Sequence, residues 1–324
     1  MTLHTLKPIA TFLMTTFNGA QYVGAAVQSI IAQSDPRWKL IIVDDASSDH
    51  TNRVLDTFRD DRISVVPLKK NRGQTGALNL GLTLIDTKWI IRIDQDDLCE
   101  PQRLATLLEL TNTHPAGVLF GSGAKLINVE GDPIGYFRPP AEDNLIRSSL
   151  IDRPYANPFV HSAVMYDSTA ARMVGGYPEE IIVANDFGLW IRLMRLGSMH
   201  QSTKFLCSLR IHPGQYSGDR SVGLTAFREV LKMSETFDAD FVMDKYEVKR
   251  WRGGRIRVTT NVAFQNLFFL RENKNLVRDF YALFYELSKE PSEFAHVVKE
   301  CFRALKYRGR PDPNSFVQLL KNIV

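Results

Sequence analysis

Residues 89–97 read Trp89-Ile90-Ile91-Arg92-Ile93-Asp94-Gln95-Asp96-Asp97, a short β-branched run broken at once by carboxylates. The pattern predicts a buried strand, Trp89–Ile93, with acidic side chains at its carboxyl end. The same grammar appears upstream: Leu40–Val43 is a compact apolar run closed by Asp44-Asp45-Ala46-Ser47-Ser48-Asp49, and Ile9–Met14 runs into Thr15-Thr16-Phe17-Asn18. Between these runs, apolar residues fall at helical spacing over Ala20–Ala32, Thr51–Phe58 and Thr75–Leu84, while Ile63–Pro67 reads as another strand. Strand–helix alternation of this kind predicts βαβ units around a mainly parallel sheet, the α/β class. Such sheets bind ligands beyond the carboxyl ends of their strands. Asp44, Asp45, Asp94 and Asp96 all stand there.

Farther on, the pattern predicts a helix over Gln102–Asn112, strands at Val118–Phe120 and Ala124–Asn128, and a turn at Glu130–Pro133. Residues 138–158 read as a loop with one short helix. His161–Tyr166 is strand-like, Asp186–Arg195 has the helical period, and Lys204–Ile211 reads as a strand. The pattern shifts near residue 220. This divides the chain into a 1–220 catalytic-type domain and a 221–324 region of amphipathic helix. The chain has 324 residues and a net charge of +4, too mild to imply a nucleic-acid partner. No run approaches the ~20 apolar residues of a membrane span, and Ile9–Met14 is too short for a signal-peptide core. Cys99, Cys207 and Cys301 lack metal-ligand spacing, and a reducing cytoplasm fits that count.

Several residues could carry chemistry. Asp94 and Asp96, two apart in a turn, can converge on a hard cation such as Mg2+ or Mn2+; the plainer role is a solvated turn before a helix, where acids are favoured. Asp44 and Asp45 could accept a ligand N–H, whereas Ser48 and Asp49 fit helix capping better. Arg72 could counter a phosphate or bond a base carbonyl, or be a surface charge. Asp186, at a helix start, is either a first-turn acid or a general base for a hydroxyl. His212 and His161 are candidate metal or phosphate contacts, with a structural role as the alternative. No Gly-x-Gly-x-x-Gly, P-loop, His-Glu-x-x-His or Cys-x-x-Cys pattern occurs.

Taken in order, these pieces resemble family 2 glycosyltransferases of the GT-A fold. Thr15-Thr16-Phe17-Asn18 looks like that family's first-strand signature, and Leu40–Asp49 resembles its Val-Asp-Asp-Gly-Ser-x-Asp segment. Asn71-Arg72-Gly73 to Asn79-Leu80-Gly81 is similar to its Asn-x-Gly…Ala-x-Asn-x-Gly stretch, and Asp94-Gln95-Asp96-Asp97 to its Asp-x-Asp metal motif. Residues 157–166, Gly175-Gly176-Tyr177, Asn185-Asp186…Leu189-Trp190 and Arg210-Ile211-His212-Pro213-Gly214 follow in register. The resemblance spans about residues 8–218. Two positions depart from it: Asn185 stands where the family usually has Glu, and Gly188 where it often has a second Asp.

The resemblance implies a metal-dependent inverting transferase using a nucleotide-diphosphate sugar. Asp186 is the expected base, and Asp94, Asp96 and His212 are the expected ligands of Mn2+ or Mg2+. Thr16, Asn18, Asp44, Asp45, Arg72 and Asp94 are expected around the nucleotide, with His161, Asn185 and Trp190 toward the sugars. An Asp acceptor with Arg72 matches a pyrimidine edge, so UDP- or dTDP-linked donors are favoured. The expected acceptor is a glycan or lipid-linked saccharide in cell-surface polysaccharide biosynthesis. A nucleotidyltransferase is the rival enzyme reading, but it calls for a Gly-rich basic loop after the first strand, and Thr15–Gly19 has no basic residue. A catalytically silent sugar-nucleotide-binding module is the non-enzyme rival, kept open by Asn185 and Gly188. The expected location is cytoplasmic. Segment 245–257, with six basic residues against Glu247, suggests attachment to the inner face of the membrane through anionic lipid; an ordinary helical cap is the alternative.

Overall fold

The computed structural model describes residues 6–152, 157–213, 215 and 229. The chain divides into two units, residues 1–150 with 156–233, and residues 151–155 with 234–324. The first unit carries the sheet. Its elements run β1 (Ala10–Thr16), α1 (Val23–Ile31), β2 (Trp38–Asp44), α2 (Thr51–Leu55), β3 (Ile63–Pro67), α3 (Gly73–Leu84), β4 (Trp89–Arg92), β5 (Leu98–Cys99) and α4 (Arg103–Thr113). There follow β6 (Gly117–Ile127), β7 (Pro133–Phe137), α5 (Asp143–Asp152), a 3-10 turn at His161–Ala163, β8 (Met165–Asp167), α6 (Ser168–Met173), α7 (Asn185–Leu193) and β9 (Ser198–Arg210).

The sheet order is β3-β2-β1-β4-β8-β6-β9-β5, with β7 added to β6. The first four strands are parallel, as the βαβ pattern predicts. The rest is mixed: β8 lies antiparallel between β4 and β6, while β9 runs parallel to β6. Register sets up the site. Thr16 lies opposite Asp44, and Asp44 opposite Pro67, so the carboxyl ends of β1, β2 and β3 finish level with one another. Phe12, Met14, Val27, Ile30, Trp38, Leu40, Ile42, Ile91 and Leu104 fill the core under them, each contributing about 1.5–3 kcal/mol of burial. The Phe12 and Trp38 rings meet edge to face at 6.3 Å.

Three elements differ from the sequence expectation for identifiable reasons. The separate strands around Gly121-Ser122-Gly123 are one strand, β6, with shifted register against β9. The glycine that looks like a break is a close approach: a Cβ on Gly123 would sit 2.8 Å from the Phe205 ring and 3.0 Å from the Phe137 carbonyl. β9 starts at Ser198, six residues before the apolar pattern announces it, because buried His200, Gln201 and Ser202 hide the strand. Gln201 Nε2 donates there to the Pro140 and Pro158 carbonyls, while its buried Oε1 has no hydrogen-bond partner among the described residues. α6, absent from the sequence reading, is capped by Asp167, which accepts the Ala170 N–H at 2.8 Å. The expectations for the helical region 221–324, its basic segments, Cys301 and residues 153–156 lie outside the described residues, Glu229 excepted.

Candidate active site

β4 delivers the acidic turn. Arg92 is fully buried, and its guanidinium pairs with Asp94 Oδ1. Asp94 Oδ1 also accepts from Gln74 Nε2 (3.2 Å), and Oδ2 accepts from Ser162 Oγ (2.8 Å). Burial opposes ionisation of Asp94, yet Arg92 holds its carboxyl below the ordinary value. Asp94, expected among the metal ligands and around the nucleotide, is thus engaged by three protein donors. Asp97 turns inward: Oδ1 accepts the Arg210 N–H (2.8 Å), and buried Oδ2 has no hydrogen-bond partner among the described residues. Burial pushes the Asp97 carboxyl well up, and the charges of Asp96 and Asp94 add to the effect.

Asp96 faces the other way. Its Oδ2 meets His212 Nε2 at 2.9 Å. Tyr22 packs on the His212 ring, centroids 5.1 Å apart, and the Arg210 guanidinium lies over Tyr22. Arg210 also donates to the carbonyls of Asp96, Asn128 and Val129, which ties the end of β9 to the acidic turn. One carboxylate oxygen and one imidazole nitrogen are donors that suit Mn2+ or Mg2+. Neighbouring ligands of an octahedral ion bound at ~2.1 Å stand about 3 Å apart, close to the observed separation. The pair fits such an ion. No group of three or more His, Cys, Asp or Glu forms a complete protein cage among the described residues, so further ligands must come from elsewhere.

The residues expected around the nucleotide differ in which way they face. Thr16 is buried and donates to Gln95 Oε1 at 2.5 Å. Asp44 is buried too, accepting from the Ser47 N–H and from Asn52 Nδ2. Both side chains, expected around the nucleotide, bond within the loops at the strand ends. Asn18, in left-handed backbone at φ 49°, accepts the Ser48 N–H at 2.9 Å and joins the loop after β1 to that after β2. Asp45 accepts the Arg72 backbone N–H at 2.6 Å, so it sets the start of α3 and brings exposed Arg72 to the same edge. Arg72, Gln74, Gly76, Glu179 and Ile182 border a cavity there.

Asp186 opens α7. Its Oδ2 accepts from Asn157 Nδ2 at 2.7 Å and its Oδ1 from the Phe187 N–H. Burial raises its pKa to about 6, and the charge of Asp94 pushes the same way. That influence places the two carboxylates in one electrostatic neighbourhood. His161 bonds the Tyr177 hydroxyl at 3.0 Å, and burial drives its pKa down to about 3, so the imidazole is neutral. Two expected sugar contacts are buried. Trp190 is wholly buried, packed against Phe159, His161 and Tyr166. Asn185 is also buried, donating to Thr75 Oγ1 at 2.9 Å. α7 is buried on most of its circumference, so both are enclosed although they stand on different faces. Sequence reasoning missed Tyr22, Gln74, Asn157 and Ser162, ordinary polar residues whose roles exist only through long-range contact.

A sequence profile for Glycosyl transferase family 2 matches residues 11–142, the span holding Asp44, Asp45, Arg72 and the acidic turn. The putative teichuronic acid biosynthesis glycosyltransferase TuaG of Bacillus subtilis is 30% identical over 151 residues, covering 45% of this chain and 60% of TuaG. The match thus spans less than two thirds of that relative. Crystalline S. aureus TarS 1-349 in complex with UDP is similar at a TM-score of 0.63 and 15% identity, over 95% of each chain. The mannosyltransferase PcManGT of Pyrobaculum calidifontis, solved with GDP-Man and Mn2+, is similar at a TM-score of 0.57 and 16% identity, over 94% of this chain and 82% of PcManGT. At such identities the solved structures speak for the fold. Over residues 11–142 the chain matches the glycosyl transferase family 2 model, and its half-parallel, half-mixed sheet has the GT-A fold of the solved neighbours.

Proposed function

We propose that this protein transfers a sugar, with inversion, from a UDP- or dTDP-linked donor to a hydroxyl of a glycan or lipid-linked saccharide in cell-surface polysaccharide assembly. The observation that carries the reading is the Asp96–His212 pair at the carboxyl edge of the sheet; Asp186, its pKa raised to about 6 and influenced by the neighbouring acidic turn through Asp94, is the base of this reading. The acceptor oxygen attacks the anomeric carbon while the bond to the diphosphate breaks. The nucleotide leaves with the bonding electrons, and the acceptor proton passes to the Asp186 carboxylate. A base with a pKa near 6 is better matched to neutral pH than an ordinary aspartate. Asp96 and His212 would hold a divalent cation, which supplies charge neutralisation for the departing diphosphate. Asp45 and Arg72 would read the base, and His161, neutral and half-buried, would face the sugar. TuaG by its description, and the UDP complex of TarS, support polysaccharide assembly and a uridine donor as the reading to test.

The test is calorimetric titration with UDP, dTDP and GDP in the presence of Mn2+, followed by turnover of a nucleotide-sugar panel. Tightest binding is expected for UDP or dTDP. Tightest binding of GDP would show the base pocket misread, and binding without any turnover would favour a silent binding module. No helix among the described residues is long and apolar enough to cross a membrane. Peripheral attachment through the basic segment 245–257 is proposed on its charge; co-sedimentation with vesicles that does not rise with anionic lipid content would refute it.

A further inference from the structure

Glu229 lies well beyond the profile match, yet its carboxylate accepts the backbone N–H groups of Ile182 (2.8 Å), Val183 (2.8 Å) and Ala184 (3.0 Å). Three successive amides converging on one anion form a nest, and this nest immediately precedes Asn185-Asp186. The same segment has a second attachment. Thr75 of α3 donates to the Ile181 carbonyl (3.0 Å) and accepts from Asn185 Nδ2 (2.9 Å). The residues leading into α7 are thus held by two side chains remote in sequence, one on the nucleotide side and one from position 229.

We propose that Glu229 is a positioning residue for Asp186: by fixing the amides of 182–184 it sets where α7 begins and so where the base stands. This rests on the reading of Asp186 as the base. Neither oxygen of Glu229 is recorded bonding Asp186, so its action runs through the backbone. The nest needs an acceptor with two oxygens. Glutamine offers one oxygen and an NH2 group that opposes an N–H, and alanine leaves all three amides without the carboxylate. A displacement of the base by about 1 Å can cost on the order of 10²-fold in rate. Ile182, exposed beside the cavity bordered by Arg72 and Gln74, is carried on the same nest.

The experiment compares the full chain with Glu229→Gln, Glu229→Ala, Asp186→Asn and Glu229→Ala/Asp186→Asn. The readouts are hydrolysis of UDP-Glc, UDP-Gal and UDP-GlcNAc with Mn2+, calorimetric UDP binding and thermal unfolding. Glu229→Ala is expected to lower kcat about 100-fold, and Glu229→Gln less, with KM and UDP affinity within about twofold of the parent. In the Asp186→Asn background the Glu229 change should add little, since its target is already gone. A folded Glu229→Ala with parental kcat, equal losses in kcat and UDP binding, or additive losses in the double variant would each overturn the proposal. If Glu229→Ala does not fold, Glu229→Gln decides by the same criteria. If the parent binds UDP but turns over no sugar nucleotide, the reading of Asp186 falls first, and the positioning role falls with it.

Discussion

Asp96 Oδ2 and His212 Nε2 stand 2.9 Å apart although 116 residues separate them. The pairing of β5 with β9, Leu98 opposite Ser208 and Cys99 opposite Cys207, brings them together. Arg210 fastens the junction through the Asp96 carbonyl and the Asp97 carboxylate.

Removal of divalent metal should therefore abolish turnover, and Mn2+ or Mg2+ should restore it. Asp96→Ala and His212→Ala should each weaken Mn2+-dependent UDP binding at least tenfold in calorimetry, because each removes one of the two proposed protein donors among the described residues. Asp94→Asn should weaken it less, since Asp94 is engaged by Arg92, Gln74 and Ser162. Full activity in excess chelator would refute the assignment.

Asp186→Asn should cut transfer by about 10²–10⁴-fold and leave UDP affinity nearly intact. In the parent protein, kcat/KM should fall as pH drops through about 6, where the carboxylate takes up its proton. The same shift has a stability sign. A carboxyl whose folded pKa lies above its unfolded value disfavours folding once it is ionised, a cost that grows between about pH 4 and pH 6 and is complete above them. Asp186→Asn should thus raise Tm at pH 7.5 and leave it unchanged at pH 3.5. A lower Tm at neutral pH would contradict the burial argument.

Arg92→Met should destabilise the fold by about 3 kcal/mol or more in urea unfolding, because it leaves the Asp94 carboxylate without the cation that balances its desolvation. Arg92→Met/Asp94→Asn should recover part of that loss. If the double variant is no more stable than the single, the pair is not what holds the turn.

Gly176→Ala should cost about 1–2 kcal/mol, with UDP binding preserved. Gly176 has φ +73°, and a Cβ there would sit 2.7 Å from Asn79 Oδ1. That oxygen accepts the Tyr177 N–H while Asn79 Nδ2 donates to the Tyr177 carbonyl, both at 2.9 Å. The two glycine-bearing motifs of the sequence are halves of one latch between α3 and the segment after α6. Unchanged stability in Gly176→Ala would show that the latch tolerates a shift.

The sequence by itself determined the parallel half of the sheet. Runs such as Leu40–Val43 and Ile90-Ile91 are apolar on both faces and buried, and a chain with that pattern and helical spacing between has few ways to bury it. It also determined that carboxylates stand at the strand ends, since Asp44, Asp45 and Asp94 follow those runs directly. Which of them face outward was decided by tertiary structure. Asp44 and Asp97 turn inward, while Asp96 turns toward His212, and adjacent residues in a turn differ in direction only through the partners they find. Trp190 and Asn185 read as site residues from their motif but are buried, Trp190 among Phe159, His161 and Tyr166 and Asn185 against Thr75 of α3. The raised pKa of Asp186 and the nest under Glu229 belong to tertiary structure alone, because desolvation and long-range hydrogen bonds leave no mark on local spacing.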